Sequence, residues 1–237
     1  KDNAKNIVLG NINGASLDVD SVSSVSLGKD ATEDEEAVEG SITITGGDAE
    51  ITAKRDINLV NGTANISSGN ALNLTAIGGS IMQNAVHSIT SDNVNASATN
   101  NINLASQANN VGQFVVNGLG ADNSINGSIN LAGSRDGGFA ADLNDITVNN
   151  GSVTVTNHVA NGNLNISGGS ITTTSESAGD VTFTSEGSIT ADTTVDSAAD
   201  IVMDADGKIT NNGALNAQDN VNVNTTKGAI EIGGSVT

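Results

Sequence analysis

Short alternations of apolar and polar residues recur along this chain from Ile42 to Ile232. Each puts two aliphatic side chains on one side of an extended segment and a small polar side chain on the other, which is the period-two pattern of a half-buried strand. Turn-forming Gly, Asn and Asp separate them. The pattern predicts an all-β chain. Its predicted strand cores are Ile42–Ile44, Ile51–Ala53, Ile57–Leu59, Leu72–Leu74, Ile102–Leu104, Ile129–Leu131, Ile146–Val148, Val153–Val155, Leu164–Ile166 and Val181–Phe183.

The alternations near the carboxyl end repeat with a regular step. The anchors that start them advance by 8, 6 and 6 residues, and then by 8, 6 and 6 again. Because a three-sided coil returns to the same side at every third strand, this step predicts a β-solenoid with three faces and about 20 residues per coil. We expect stacked interior columns to be formed by Ile189, Val195, Ile201, Ile209, Leu215 and Val221.

An antiparallel sandwich is the first competing fold. Asn–Gly pairs such as Asn126–Gly127 and Asn150–Gly151 favour the tight turns of β-hairpins. A sandwich, however, has no reason to repeat an 8-6-6 step. The spacing therefore favours the solenoid.

We expect the whole chain, residues 1–237, to form one solenoid segment with two interruptions. Residues 29–40 contain four consecutive acidic side chains and are predicted to form an acidic loop. Residues 107–139 have weaker anchors and are predicted to be an irregular insertion. Because insertions in solenoids often carry the binding face, we expect a contact loop there with Phe114, Arg135 and Phe139.

Composition narrows the classes of function. The 237 residues include no Cys, Pro, Trp or Tyr and only three Phe, so the core must be narrow and aliphatic, without disulfides. The net charge is −19, from 27 acidic and eight basic residues. Such a chain repels nucleic acid and anionic lipid. It also lacks an apolar run long enough to insert into a membrane.

Candidate catalytic and metal-binding residues are sparse. His87 and His158 are the only histidines, and nothing in the sequence pairs them with a nucleophile or a zinc ligand set. The acidic loop could hold Ca²⁺, but a solvated loop is the simpler interpretation. Asp180, Asp200 and Asn220 recur once per coil, and we expect them to cap turns by bonding to the backbone. No catalytic, cofactor-binding or metal-binding residue is predicted.

Two other functions of β-solenoids remain as alternatives. A carbohydrate-active β-helix enzyme needs clustered carboxylates with basic and aromatic residues, but the chain has only two arginines and neither Tyr nor Trp. An ice-binding solenoid needs a flat array of Thr. Thr172–Thr174 and Thr193–Thr194 are suggestive, yet other outward positions mix Asn, Ser and Asp.

Several phrases resemble the repeats of filamentous-haemagglutinin-like adhesins, the large exoproteins of bacterial two-partner secretion. They include Asn101–Ala105, Ala71–Ala76 and Gly162–Thr172, and the resemblance covers roughly residues 40–237. It implies a right-handed parallel β-helix, export across an outer membrane, and a role in adhesion or biofilm. The amino-terminal secretion domain of that family carries Asn-Pro motifs, whereas this chain has no proline.

Together these observations predict a non-enzymatic structural stalk or adhesive segment of a bacterial surface or secreted adhesin. Its partner would be a receptor on a host cell, on the matrix or on a neighbouring bacterium. Since the chain stops inside a repeat, we expect either a piece of a longer solenoid or a subunit of an extracellular filament that associates head to tail. No cofactor is expected.

Overall fold

The structure is a computed structural model that describes residues 6–29, 36–60 and 65–237. Short parallel strands stacked in successive coils make up nearly all of it, so the predicted β-solenoid is confirmed. Within these ranges there is no α-helix, and one 3₁₀ turn spans Ala121–Asn123. The strands are β1 (Ile7–Leu9), β2 (Ile12–Gly14), β3 (Leu17–Ser21), β4 (Val25–Leu27), β5 (Ser41–Ile44), β6 (Ala49–Ala53), β7 (Ile57–Leu59), β8 (Asn65–Ser68), β9 (Ala71–Ala76), β10 (Ile81–Gln83), β11 (Ile89–Ala98), β12 (Ile102–Leu104), β13 (Asn110–Gly118), β14 (Ser124–Asn126), β15 (Ile129–Gly133), β16 (Gly138–Asp142), β17 (Ile146–Asn149), β18 (Val153–Asn157), β19 (Asn163–Ser167), β20 (Ser170–Thr173), β21 (Val181–Ser185), β22 (Ser188–Ala191), β23 (Thr194–Ser197), β24 (Ile201–Ala205), β25 (Ile209–Asn211), β26 (Leu215–Ala217), β27 (Val221–Thr225) and β28 (Ile230–Ile232).

In the described residues the strands form three parallel sheets, which correspond to the predicted faces. The first sheet has ten strands in the order β1-β4-β7-β10-β12-β15-β18-β21-β24-β27. The second sheet has 13 strands and runs from β2 to β28, with β3, β6 and β9 joined to it through the long strand β11. The third sheet has five strands, in the order β14-β17-β20-β23-β26. Two faces are therefore continuous in the amino-terminal half and separate only after β13.

The coils average about 24 residues, more than the predicted 20. The predicted spacing of 20 residues is confirmed in the carboxy-terminal coils, where Val181 pairs with Ile201 and Ile201 pairs with Val221. Elsewhere the spacing varies: Val25 pairs with Ile57 and Val153 with Val181 across longer coils, whereas Ile7 pairs with Val25 across a shorter one. Turn length varies because the turns lie outside the ladders, so extra residues do not disturb the pairing of the strands.

The core is a set of aliphatic columns, as predicted. Ile189 stacks on Ile209, and Val195 stacks on Leu215, with all four side chains buried. Ile201 is also fully buried, whereas Val221 in the last coil is only partly buried. Each strand buries alternate residues, so backbone ladders and apolar burial reinforce the same register.

The predicted irregular insertion at residues 107–139 is wrong. Strand β13 pairs with β11 from Thr90↔Asn110 to Ala98↔Gly118, and β14, β15 and β16 continue the sheets. Both long strands bend at a corner, where each exposes two consecutive residues, Asp92–Asn93 and Gly112–Gln113. Two consecutive outward residues shift the apolar/polar alternation by one residue. A prediction based on strict alternation therefore does not detect the strand.

Only the base of the predicted acidic loop can be described. The backbone groups of Lys29 and Val38 exchange two hydrogen bonds of 2.7 Å and close the segment as a small antiparallel bridge. Residues 30–35, which hold most of the acidic side chains, lie outside the described residues. The acidic loop therefore stays a prediction.

Candidate binding surface

Two of the three predicted contact residues lie in the core. Phe114 on β13 is fully buried and Phe139 on β16 is 3% exposed. Their rings pack edge to face, with centroids 5.5 Å apart and planes at 80°. The prediction that these two side chains contact a partner is therefore wrong, because the solenoid uses them to fill the interior beside the bent strands.

The third predicted contact residue, Arg135, lies on the surface but is engaged within the chain. Its Nη2 atom lies 2.8 Å from Oδ1 of Asp92, and its side chain is 34% exposed. Arg135 precedes β16 and Asp92 belongs to β11, so the side chain crosses the intervening strand β13. It passes over Gly112, where an added Cβ would lie 2.5 Å from Nη1 of Arg135. The structure thus separates the three predicted contact residues into a core pair and a surface ion pair.

The two histidines are in different environments. His87 is buried at a corner, and its Nδ1 lies 2.9 Å from the carbonyl oxygen of Leu59. His158 is partly exposed, and its Nδ1 lies 3.5 Å from Oε1 of Glu186. In the described residues no group of three or more His, Asp or Glu side chains is arranged to hold a metal ion.

The column of Asp180, Asp200 and Asn220 caps turns, as predicted. Oδ1 of Asp180 accepts a hydrogen bond from the backbone nitrogen of Asp200, at 3.2 Å. Oδ1 of Asp200 accepts one from the backbone nitrogen of Asn220, at 2.9 Å, and another from its side-chain amide, at 3.0 Å. Each carboxylate thus ties its own coil to the next one.

Many other outward polar side chains bond to the neighbouring coil. Nδ2 of Asn95 donates to Oδ1 of Asn73 over 2.6 Å on the second sheet. Nδ2 of Asn216 donates to Oδ1 of Asp196 over 2.6 Å on the third sheet. Such ladders consume the hydrogen-bonding groups that a ligand would otherwise meet. They mark surfaces that hold coils together.

The outer face of the first sheet differs from these laddered surfaces. One outward residue from each of its ten strands stacks in register, and none of the ten is charged, although the chain carries a net charge of −19. The side chains of Asn103, Asn130 and Thr154 in this column form no hydrogen bond with the rest of the described chain. We call this column the neutral column. It consists of Val8, Ser26, Asn58, Met82, Asn103, Asn130, Thr154, Thr182, Val202 and Asn222.

A recess lies beside the middle of the neutral column, with a volume of about 560 Å³. Small side chains leave this space open, since Ala105 and Ala132 lie where larger residues would fill it. His158 stands at its edge, next to Thr156. The full lining is Ala85, Asn103, Ala105, Gln107, Asn130, Leu131, Ala132, Thr154, Thr156 and His158.

Sequence reasoning missed this surface because its members are unevenly spaced along the chain. Asn103 pairs with Asn130, and Asn130 pairs with Thr154, across turns of different lengths. No fixed period connects them, so only the strand register brings them together. The nearest signal in the sequence was the repeated Ile-Asn-Leu phrase at 102–104 and 129–131.

Comparisons with models of protein families, with curated proteins and with solved structures find no match to this chain. Across the described ranges, no helix has the length and apolar character needed to cross a membrane.

Proposed function

We propose that this chain is a non-enzymatic structural and adhesive segment of a bacterial surface or secreted adhesin, acting outside the cell. The observation that carries the proposal is the unbroken ten-strand ladder of the first sheet, whose outer face carries the neutral column. A stack of this kind sets a fixed distance and offers a continuous lateral surface. At about 4.8 Å per strand, ten strands extend roughly 45 Å.

The side-chain ladders support a load-bearing role. Asp200 and Asn220 connect adjacent coils, and so do Asp196 and Asn216, in addition to the backbone hydrogen bonds. Because each coil contacts mainly its neighbours, the rod can be lengthened by adding coils without redesigning its core. This property suits a spacer that carries a contact surface away from a cell.

The corrected positions of the phenylalanines change where adhesion would occur. With Phe114 and Phe139 in the core, residues 107–139 offer no aromatic anchor for a partner. The neutral column on the first sheet is the better contact surface, since it has free amide and hydroxyl groups and no charged side chain that must be desolvated.

The test is adhesion by beads coated with the purified chain, applied to host cells, extracellular matrix and bacterial lawns. The control is the same chain carrying Ile201→Asp, which disrupts the core. We expect coated beads to be retained on at least one of these surfaces and control beads to be released. Equal retention of both, or cleavage of a polysaccharide by the purified chain, would contradict the proposal.

The alternative of a self-assembling filament subunit predicts a different solution behaviour. A stalk segment should sediment as monodisperse short rods. A filament subunit should form long fibres, visible by electron microscopy, whose number grows with protein concentration. Sedimentation and microscopy on one sample therefore separate the two functions.

A further inference from the structure

The neutral column and its recess stand out against the charge of the rest of the molecule. Between Asn103 and Thr184, neither the neutral column nor the adjacent outward positions Ala132 and Thr156 carry a charge. Outward columns on other faces do: Asp18 pairs with Glu50 on the second sheet, and Asp196 pairs with Asn216 on the third. A ligand at the recess thus meets amides, hydroxyls and methyl groups, and at one edge the imidazole of His158, whose Nδ1 lies 3.5 Å from Oε1 of Glu186.

The polar groups in the recess are free to bind. Asn103, Asn130 and Thr154 are partly exposed, and none of their side chains bonds to another described residue. They follow each other at one per strand, about 4.8 Å apart. Such a row matches a polymer that repeats its own hydrogen-bonding groups at a similar interval, and an extended chain of pyranose rings does so.

We propose that the recess binds an unbranched, uncharged polysaccharide that lies along the solenoid axis. Asn103, Asn130 and Thr154 donate to and accept from successive sugar hydroxyls, while the methyl groups of Ala105 and Ala132 contact the rings. The assignment deepens the proposed adhesive function, on which it rests, by naming the ligand class and the binding face.

The shape of the surface favours a chain-like ligand over a second copy of this solenoid. Two flat sheets packed face to face would leave a recess of about 560 Å³ unfilled, whereas a sugar chain can enter it. The strongly negative charge disfavours an acidic polysaccharide, because −19 on the protein repels carboxylated sugars at long range. A neutral polysaccharide can enter the recess and is not repelled by the negative charge of the protein.

The absence of Tyr and Trp predicts how this binding should behave. Without aromatic rings to stack on sugars, each ring contributes little, so affinity must accumulate over several coils. We expect hexasaccharides to bind at least tenfold more tightly than disaccharides of the same sugar. An affinity independent of chain length would contradict a ligand that follows the axis.

The experiment titrates the purified chain with neutral hexasaccharides of glucose, mannose, galactose and N-acetylglucosamine, and with a hexagalacturonate, by calorimetry and amide chemical shifts. The test variants are Asn130→Ala with Thr154→Ala, and Ala105→Glu. The matched control is Thr190→Ala with Thr210→Ala, which removes outward hydroxyls from the second sheet. We expect one neutral hexasaccharide to bind, both test variants to weaken it at least tenfold, and the control to leave it unchanged.

Three results would overturn the inference. One is that none of the neutral hexasaccharides binds. Another is that the hexagalacturonate binds more tightly than all of them. The third is that the test variants and the control behave alike. Dimers in sedimentation that the test variants abolish would likewise replace the sugar chain with a second copy of the solenoid. If wild-type and variant beads still adhere equally to cells, the proposed function survives and only this binding site fails.

Discussion

Arg135 reaches across a whole strand to pair with Asp92. Its Nη2 lies 2.8 Å from Oδ1 of that carboxylate, and the side chain lies over Gly112 on the strand between them. A Cβ added at Gly112 would fall 2.5 Å from Nη1 of Arg135 and 2.6 Å from the carbonyl oxygen of Asp92. The glycine therefore permits both the ion pair and the close approach of β11 and β13.

This geometry predicts that replacing Gly112 lowers the free energy of unfolding more than removing the ion pair does. Gly112→Ala should lower the free energy of unfolding by about 1–3 kcal/mol, because backbone must shift to relieve the overlap. Arg135→Met should lower it by less than about 1 kcal/mol, because the ion pair lies at the surface and its Asp92 carboxylate is 66% exposed. Denaturant unfolding of both variants checks the order. A larger loss for Arg135→Met would contradict the steric role assigned to Gly112.

The buried aromatic pair predicts large effects on stability. Phe114→Ala should cost about 3–5 kcal/mol, because it leaves a cavity in a core that cannot collapse along the ladder. Val115→Ala, on the outward side of the same strand, should cost less than about 1 kcal/mol. If Phe114 instead served as an exposed anchor, its replacement would leave the unfolding curve unchanged, which is the contradicting result.

Ile201 and Val202 provide a paired test of the inside and outside of the first sheet. Ile201 is fully buried and Val202 faces outward on the same strand. Ile201→Asp should cost at least about 3 kcal/mol and melt the carboxy-terminal coils, because a buried charge lacks a partner. Val202→Asp should leave the β-sheet circular dichroism unchanged. Similar melting of the two variants would refute the assigned register.

Acid should weaken the last coils through Asp206. Hydrogen bonds from Thr226 and Lys227, together with the positive charge of Lys227, hold the pKa of Asp206 below its ordinary value of 3.8. Because the unfolded chain takes up this proton at a higher pH than the folded chain, the contribution to stability is complete above the ordinary pKa and is lost as pH falls through the lowered pKa of the folded state. Melting temperatures measured from about pH 6 down to about pH 2 should fall less steeply for Asp206→Asn than for wild type. Equal slopes would exclude this contribution.

The sequence predicted those features that recur at a constant interval. Two such sets have a constant spacing of 20 residues: Val181, Ile201 and Val221, and Asp180, Asp200 and Asn220. Their stacking could be inferred from this spacing alone. Strand β13 could not be predicted in this way. Its residues Gly112 and Gln113 both face outward at a corner and interrupt the alternation. The neutral column was not predictable, because Asn103, Asn130 and Thr154 meet only once turns of unequal length have been closed.

The same difference explains the error at Phe114 and Phe139. Large apolar residues in a segment without clear period looked like anchors exposed on a loop. In the structure both rings are buried and pack edge to face in the core. A pattern of residue types cannot show this, because it depends on how β13 and β16 pair with their neighbours.

All of these proposals depend on coils that stack in register on the first sheet, and disulfide formation tests this register most directly. The chain has no cysteine, so introduced pairs report without interference. Thr182 lies opposite Val202, one strand away, and Asn222 lies one strand further. Adjacent strands are about 4.8 Å apart, within the range for a disulfide, whereas two strands span about 10 Å and exceed it. Under mild oxidation, Thr182→Cys with Val202→Cys should crosslink rapidly within one chain, and Thr182→Cys with Asn222→Cys should not. Crosslinking of the second pair but not the first, or of neither pair, would contradict the solenoid.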